Sequence, residues 1–297
     1  MQKLSDKIEN RNEKRVLVTG NFGFLGRAVC ERLLELGYDV VNRNTKLDIK
    51  NLEALKTQYL GHKVNYIYHL AGKSDVAYAE LNPIEALEVN VAGTWNIMEL
   101  ARELDVKCVF VASTERLGSN LDNDLSIYDT SKLCSESVAA AYHHRYGVPV
   151  VICRFGIIFG EGDASQTRLI PSVIRSLLSN EVCIVNSAAD IYRKYIYLED
   201  AVNALIYLAD DVESFHLRVA GKVEITYPKA YSIKYVVESL VAASGKSDLC
   251  PIFKDATGSK GSKISMQNIC KVGWSPQYTM EDSLLRTYSW YKRNAKV

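Results

Sequence analysis

Thr19-Gly20-Asn21-Phe22-Gly23-Phe24-Leu25-Gly26 is the stretch on which the reading of this chain turns. It follows Arg15–Thr19 (RVLVT), a β-branched run that reads as a strand. Gly26 opens an amphipathic run ending near Gly37, which reads as a helix. Three glycines between a strand and a helix have separate uses. The first permits a tight turn, the second lets backbone approach a pyrophosphate, and the third lets helix and strand pack closely. The helix N-terminus then offers free N–H groups to an anion. The position of the triplet favours a dinucleotide-binding turn over a purely structural one.

Outward from this turn, the alternation continues. Asp39 to Asn42 reads as a second strand, Leu52 to Tyr59 as a helix and Tyr66 to Leu70 as a third strand. Pro83 to Leu104 reads as one helix, Val106 to Ala112 (VKCVFVA) as a strand, Thr130 to Tyr146 as a helix and Val148 to Arg154 as a strand. Such alternation specifies an α/β fold: a Rossmann-type, doubly wound parallel sheet with a smaller C-terminal substrate-binding region. The expected organisation is a loose polar leader over 1–14, a dinucleotide-binding domain over 15–160 and a mixed α/β region over 161–297. That region is interleaved with the end of the first domain at about 195–220.

The second strand carries the cofactor preference. An enzyme for NAD usually ends this strand in an acid that binds the ribose hydroxyls. Here Val41-Asn42-Arg43-Asn44-Thr45-Lys46 has no acid and supplies Arg43 and Lys46, cations suited to the 2′-phosphate of NADP. Solvated loop cations are the competing reading. NADP is therefore favoured over NAD, with Asp48 and the following Ile49 near the adenine.

Tyr128 and Lys132 lie four residues apart, a spacing that puts both on one helix face. An ammonium near a phenol stabilises the phenolate and brings it toward the range of acid–base catalysis. Ser113, at the carboxyl end of the strand 106–112, can hydrogen-bond the reacting oxygen. In a chain with 18 tyrosines one Tyr–Lys pair means little, but the three in this order after a glycine turn are specific.

At this point the chain resembles the extended short-chain dehydrogenase/reductases of the NAD-dependent epimerase/dehydratase family, which act mostly on nucleotide sugars. TGNFGFLG resembles the TGxxGxxG turn, HLAG (His69–Gly72) the segment lining the cofactor, and NVAGTWN (Asn90–Asn96) the NVxGTxN helix. YDTSK matches YxxSK, and ASTERLG resembles the serine/threonine segment ending VYG. RFGIIFGEGD resembles RxxNVYGPGD, RKYIYLEDA resembles RDFIYVEDV, and KVGWSPQYTMEDSL resembles the closing GWxPxxxLEEGL. The resemblance implies Tyr128 as catalytic acid/base, Lys132 as its activator and Ser113 as partner of the substrate oxygen. The expected cofactor contacts are Gly20, Phe22, Gly23, Phe24, Leu25, Gly26, Arg43, Asp48, Ile49, Leu70, Ala71, Gly72, Asn90 and Lys132. Ser74, Thr114, Glu115 and Arg193 are the expected substrate contacts, Arg193 at the nucleotide or its phosphates. Arg116-Leu117-Gly118 departs from VYG, and Ile157 replaces an asparagine that often touches the sugar nucleotide.

Hydride transfer at the sugar C4 is the shared step, so accessory groups must choose the reaction. Ser113-Thr114-Glu115 has the glutamate but not the aspartate of the resembling 4,6-dehydratases. The expected activity is a 4-ketoreductase, then a 4-epimerase, then a dehydratase, with a non-catalytic NADP(H) sensor as the other class. The 297 residues carry a net charge of +1, which supplies no attraction for nucleic acid or anionic membrane. Seven scattered cysteines without metal spacing suggest free thiols in a reducing compartment, and no metal is expected. No apolar run reaches transmembrane length, and residues 1–14 do not resemble a signal peptide, so the cytoplasm is the default. Ala139, Ala140 and Ala141 permit close helix packing, and the helices near 85–104 and 130–146 form the dimer bundle in resembling enzymes, so a homodimer is expected.

Overall fold

The computed structural model describes residues 14–118, 125–210, 212, 221–254 and 273–295. The leader up to residue 13, the segment 119–124, most of 211–220 and the start of the closing motif, with Cys270, lie outside them. The chain divides into two compact units: Met1–Arg154 with Val202–Glu224, and Phe155–Ala201 with Ile225–Val297.

The first unit is built on a sheet of the strands β1 (Arg15–Thr19), β2 (Asp39–Val40), β3 (Tyr66–His69), β4 (Cys108–Thr114) and β5 (Val150–Phe155), with Gly221–Ile225 at one edge. Their order from that edge is β5, β4, β3, β1, β2. β1 runs parallel to β2 and β3, and β3 parallel to β4, with Tyr66 opposite both Val16 and Cys108. Val16, Leu17, Val18, Ile67, Tyr68, Val109 and Phe110 are wholly buried, as a parallel sheet covered on both faces requires. One core cluster joins Leu17, Ile67 and Val109 to Leu55, Ile97, Met98, Leu100 and Tyr142 from the helices. This is the expected Rossmann-type α/β sheet.

The strand order reverses beside β1: the chain goes to β2 on one side, then returns to β3 on the other. Ligands in open α/β sheets bind at such a switch point, outside the carboxyl ends of the strands. The glycine turn after β1 and the segment Leu70–Gly72 after β3 therefore flank the place the topology makes available.

The helices of this unit are α1 (Phe24–Glu35), α2 (Leu52–Tyr59), α3 (Val76–Leu81), α4 (Pro83–Leu87), α5 (Gly93–Leu104) and α6 (Ile127–Tyr146). Three differences from the sequence reading matter. The helix read over 83–104 contains a π-helical turn at Glu88–Ala92, centred on Asn90. β4 runs on through Ser113 and Thr114, so Ser113 is in the strand rather than after it. α6 begins three residues earlier than Thr130, because the Ser126 hydroxyl accepts the Asp129 N–H at 3.0 Å and caps it. Such a cap contributes about 1 kcal/mol and brings Tyr128 inside the helix.

In the second unit, Leu169–Leu178, Ile233–Ser244 and Met280–Asn294 are helices. Ile157–Phe159 pairs with Tyr195–Tyr197 in parallel, and Tyr192–Arg193 with Tyr231–Ser232 antiparallel. Phe159, Ile174, Leu177, Tyr195, Val237, Leu240, Met280 and Leu284 form its core. Among the described residues no helix is long and apolar enough to cross a membrane, and no group of three His, Cys, Asp or Glu side chains could hold a metal ion.

Candidate active site

The glycines of the turn differ in what they require. Gly20 has φ +70°, and a Cβ there would meet the Ala71 nitrogen at 2.8 Å, so the turn lies directly against the segment after β3. A Cβ on Gly26 would fall 2.0 Å from the Gly20 oxygen, which fixes the close approach of α1 to the turn. Gly23 has an ordinary φ of −78°. A Cβ there would meet only the Gly20 oxygen, at 3.1 Å. No backbone strain demands glycine at 23, and an added Cβ would need the Gly20 oxygen to give by only a few tenths of an ångström, far less than at Gly26. Gly23 also caps α1 without a side-chain hydrogen bond, and the first turn has no acid, so its N–H groups face an anion unopposed. The residues present fit the pyrophosphate of a dinucleotide. Phe22 is exposed, and Phe24 and Leu25 are half-buried at the start of α1.

A buried polar chain ties the turn to the neighbouring segment. Thr19 Oγ1 accepts the N–H groups of Leu70 and Ala71, each at 3.1 Å. It also lies 2.8 Å from His69 Nδ1, and His69 Nε2 lies 2.9 Å from Thr94 Oγ1. The Thr94 hydroxyl donates to the Asn90 carbonyl. With Thr19 accepting twice, its hydrogen goes to His69 Nδ1 and the imidazole proton sits on Nε2. Burial, with the Lys132 charge adding to it, pushes His69 down to about 3, so the ring stays neutral.

At the end of β2 the Asn42 side chain turns inward. Its Oδ1 accepts the Val18 N–H at 3.0 Å and its Nδ2 donates to the Val18 carbonyl at 2.7 Å. Arg43 and Lys46 are exposed beyond it. Asp48 is exposed and accepts the Lys50 N–H at 3.0 Å. The Ile49 side chain is buried, and a Cβ on Gly93 would lie 2.4 Å from its Cδ1, so the glycine of the NVAGT segment is a packing requirement.

Tyr128, Lys132 and Asn90 are positioned by neighbouring elements. Tyr128 is buried against Ala79 of α3 and Ala86 of α4. The carboxylate of Glu80 accepts the Ile127 N–H at 2.8 Å, which holds the start of α6. Lys132 Nζ donates to the Ala112 carbonyl at 3.0 Å. Burial pushes this lysine down to about 8, against the opposing influence of Glu136. Asn90 accepts the Lys73 N–H at 2.7 Å and donates to Ser131 Oγ at 2.8 Å. Its carbonyl, in the π-helical turn, accepts the hydroxyls of Thr94 and Ser135. A Cβ on Gly72 would lie 3.0 Å from Asn90 Oδ1 and 3.2 Å from Lys132 Nζ, so the Gly72 backbone sits beside the lysine ammonium. Ser74, one residue beyond Lys73, is exposed.

Ser113 is buried and donates its hydroxyl hydrogen to Glu136 Oε1 at 2.7 Å. Thr114, also buried, accepts the Arg116 N–H at 3.3 Å, and Glu115 is buried at the start of a short 3₁₀ turn, Glu115–Gly118. Arg116, where the resembling motif has valine, forms two hydrogen bonds to the Asp129 carboxylate, at 2.9 and 2.8 Å. This departure has a partner in the residue next to Tyr128. Arg193 lies in the second unit, on a two-residue strand, with Nη1 3.2 Å from the Tyr192 carbonyl.

Sequence reasoning missed Glu136, although its signal was present: it stands four residues after Lys132, as Lys132 stands four after Tyr128. It also missed Thr19, Asn42 and the Arg116–Asp129 pair, whose partners are distant in sequence or set by turns.

The family model described as the NAD dependent epimerase/dehydratase family matches residues 16–220. Among similar proteins is UDP-glucuronic acid decarboxylase 1 of Danio rerio, 23% identical over 96% of this chain and 74% of its own length. Another is UDP-glucuronate 4-epimerase of Thermodesulfobacterium geofontis, 24% identical over 95% of this chain and 97% of its own. The solved structure of UDP-glucose 4-epimerase from Thermus thermophilus, in complex with NAD, aligns with a TM-score of 0.78 at 19% identity. The alignment covers 95% of this chain and 100% of the other.

Proposed function

The chain belongs to the NAD-dependent epimerase/dehydratase family, and from that premise we propose that it is a nucleotide-sugar 4-ketoreductase using NADPH. The family model and relatives support a nucleotide-sugar enzyme of the extended short-chain dehydrogenase/reductase type, with structural neighbours that bind NAD. The finer reading rests on one observation. The carboxylate expected of an NAD site at the end of β2 is absent, Asn42 is turned inward on Val18, and the exposed Arg43 and Lys46 that follow are cations suited to a 2′-phosphate.

A bound nicotinamide would supply the hydride for C4. Tyr128 gives the proton to the C4 oxygen, and the Lys132 ammonium keeps the phenol acidic enough to do so. The Ala112 carbonyl accepts from that ammonium and holds it in place. Ser74, Thr114 and Glu115 of the first unit and Arg193 of the second are the residues proposed to meet the substrate, Arg193 at its phosphates. The dehydratase reading ranks third, after the epimerase, since Thr114 stands where its acid is needed.

A 4-epimerase is the second reading, favoured by Ser113. With its hydrogen donated to Glu136, Ser113 offers only lone pairs, which suit a sugar hydroxyl better than a ketone. The deciding experiment supplies a nucleotide 4-keto-6-deoxysugar with NADPH or NADH, and in parallel UDP-glucose or UDP-glucuronate with NAD. NADPH consumption supports the reductase. Interconversion of C4 epimers without net cofactor change replaces it with the epimerase, and cofactor binding without either reaction favours a sensor.

The proposed assembly is a homodimer through the α3–α6 side, where Leu81, Ile84, Leu87, Trp95 and Tyr146 are exposed. The free thiols among the described residues suit a reducing compartment such as the cytoplasm.

A further inference from the structure

We propose that Glu136 is a positioning residue of the hydride-transfer site: it holds Ser113 with its hydrogen turned away from the substrate and supplies the negative charge facing Lys132. The proposal rests on the reading of Tyr128, Lys132 and Ser113 as reaction-site groups, which the reductase and epimerase share.

Four elements converge on this carboxylate. From β4, Ser113 donates to Oε1 at 2.7 Å. From β5, Arg154 donates to Oε1 at 2.8 Å and to Oε2 at 2.7 Å. From the edge strand Gly221–Ile225, Lys222 Nζ lies 3.1 Å from Oε2. On its own helix, Lys132 stands one turn away. The Glu136 side chain is 1% exposed. Burial pushes it up, but Arg154, Ser113 and Lys222 together outweigh burial and hold it below the usual carboxylate range. An ionised carboxylate has no hydrogen to give, so in this contact Ser113 must be the donor, which leaves only its lone pairs for a ligand.

Two cations already neutralise Glu136, and one would suffice for a structural ion pair. The remaining valence of Oε1 is used on a residue whose side chain serves the reaction. Lys132 meets the same carboxylate as an opposing influence on its burial. His69 of β3, which the Lys132 charge also reaches, is neutral, and Tyr128 stands one turn before Lys132 on the same helix.

The test is Glu136→Gln in the full chain, with Ser113→Ala and the double variant, assayed on whichever nucleotide sugar the parent turns over. The expected result is a loss of about tenfold or more in kcat with KM changed by less than about threefold. Below the alkaline limb, where Lys132 keeps its proton in every variant, the double variant should be no slower than Ser113→Ala alone, because there Glu136 acts through Ser113. The alkaline limb of the kcat profile should move to lower pH, since removing the facing charge lets Lys132 lose its proton earlier. Glu136→Asp keeps the charge and shortens the reach, so it should lose kcat with the limb unmoved. It also serves if the glutamine variant does not fold. Additive losses, or an unmoved limb in a folded Glu136→Gln protein, overturn the proposal. If the parent acts on no nucleotide sugar, the proposed function fails by itself. Glu136 is then read from the tyrosinate absorbance of the parent minus that of Tyr128→Phe. A Glu136→Gln change that leaves the Tyr128 midpoint where it was overturns the proposal there too.

Discussion

Tyr128 and Lys132 are legible as a pair because helix periodicity alone puts residues four apart on one face. What that spacing does not contain is the lysine's environment. Its amine is buried beside the Gly72 backbone and pushed down to about 8. Such an ammonium is poised to share a proton with a phenol. Tyr128→Phe should keep cofactor affinity within about twofold while turnover falls by roughly 10²–10⁴, the usual contribution of a general acid–base. Fluorescence titration with NADPH alongside the activity assay checks both halves. His69 carries a second prediction at this scale. Its folded value of about 3 lies below its ordinary value of 6.5, so between these the unfolded chain binds the extra proton. Stability contributed by neutral His69 is therefore intact above pH 6.5 and is lost as pH falls toward 3, at up to about 1.4 kcal/mol per pH unit. Denaturant melts of the parent and of His69→Asn from pH 7 to pH 4 should converge as the pH falls. Parallel pH dependences would refute the buried neutral imidazole.

The glycine turn shows how one motif serves distinct purposes. Its pattern in sequence marks a strand–turn–helix junction but treats the three glycines alike. In the structure Gly26 is needed for packing, since its added Cβ would lie 2.0 Å from backbone, whereas Gly23 has nothing but one oxygen at 3.1 Å. Gly26→Ala should therefore destabilise the fold by roughly 1–3 kcal/mol or more, with a lowered Tm even without ligand. Gly23→Ala, whose Cβ asks the Gly20 oxygen to give by only a few tenths of an ångström, should lower the ligand-free Tm much less than Gly26→Ala, yet lose most of its cofactor-induced rise in Tm. An equal loss of ligand-free stability in both would show that Gly23 is structural. The helix read over 83–104 teaches a related point. Its apolar period gave no warning of the π-helical turn, within which the buried Asn90 bonds Lys73 and Ser131, partners distant in the chain.

At the scale of the molecule, the strand order places the glycine turn and Leu70–Gly72 on either side of the switch point, and β4 with α6 bring Ser113, Tyr128 and Lys132 into the same unit. The apolar side chains left exposed on α3 to α6 belong to this scale as well. Leu81 is 81% exposed and Ile84 73% exposed, more than the burial of neighbouring core residues would lead one to expect of leucine and isoleucine. The parent should run as a dimer by light scattering at micromolar concentration, and Leu81→Glu with Ile84→Glu should shift it to the monomer mass. A monomeric parent would refute the assembly.

The alternation of strand and helix, the turn that begins it and the Tyr128–Lys132 pair can be read along the chain, because each depends on residues close together in it. Periodicity and turn chemistry act over a few residues and leave their mark there. Only the tertiary structure decided that Ser113 gives its hydrogen to Glu136, that Asn42 closes on Val18 instead of facing a ribose, and that Arg116 answers Asp129. These contacts join segments separated by 13 to 24 residues. A buried polar group takes whichever partner the packed elements bring within reach, and no local pattern names it.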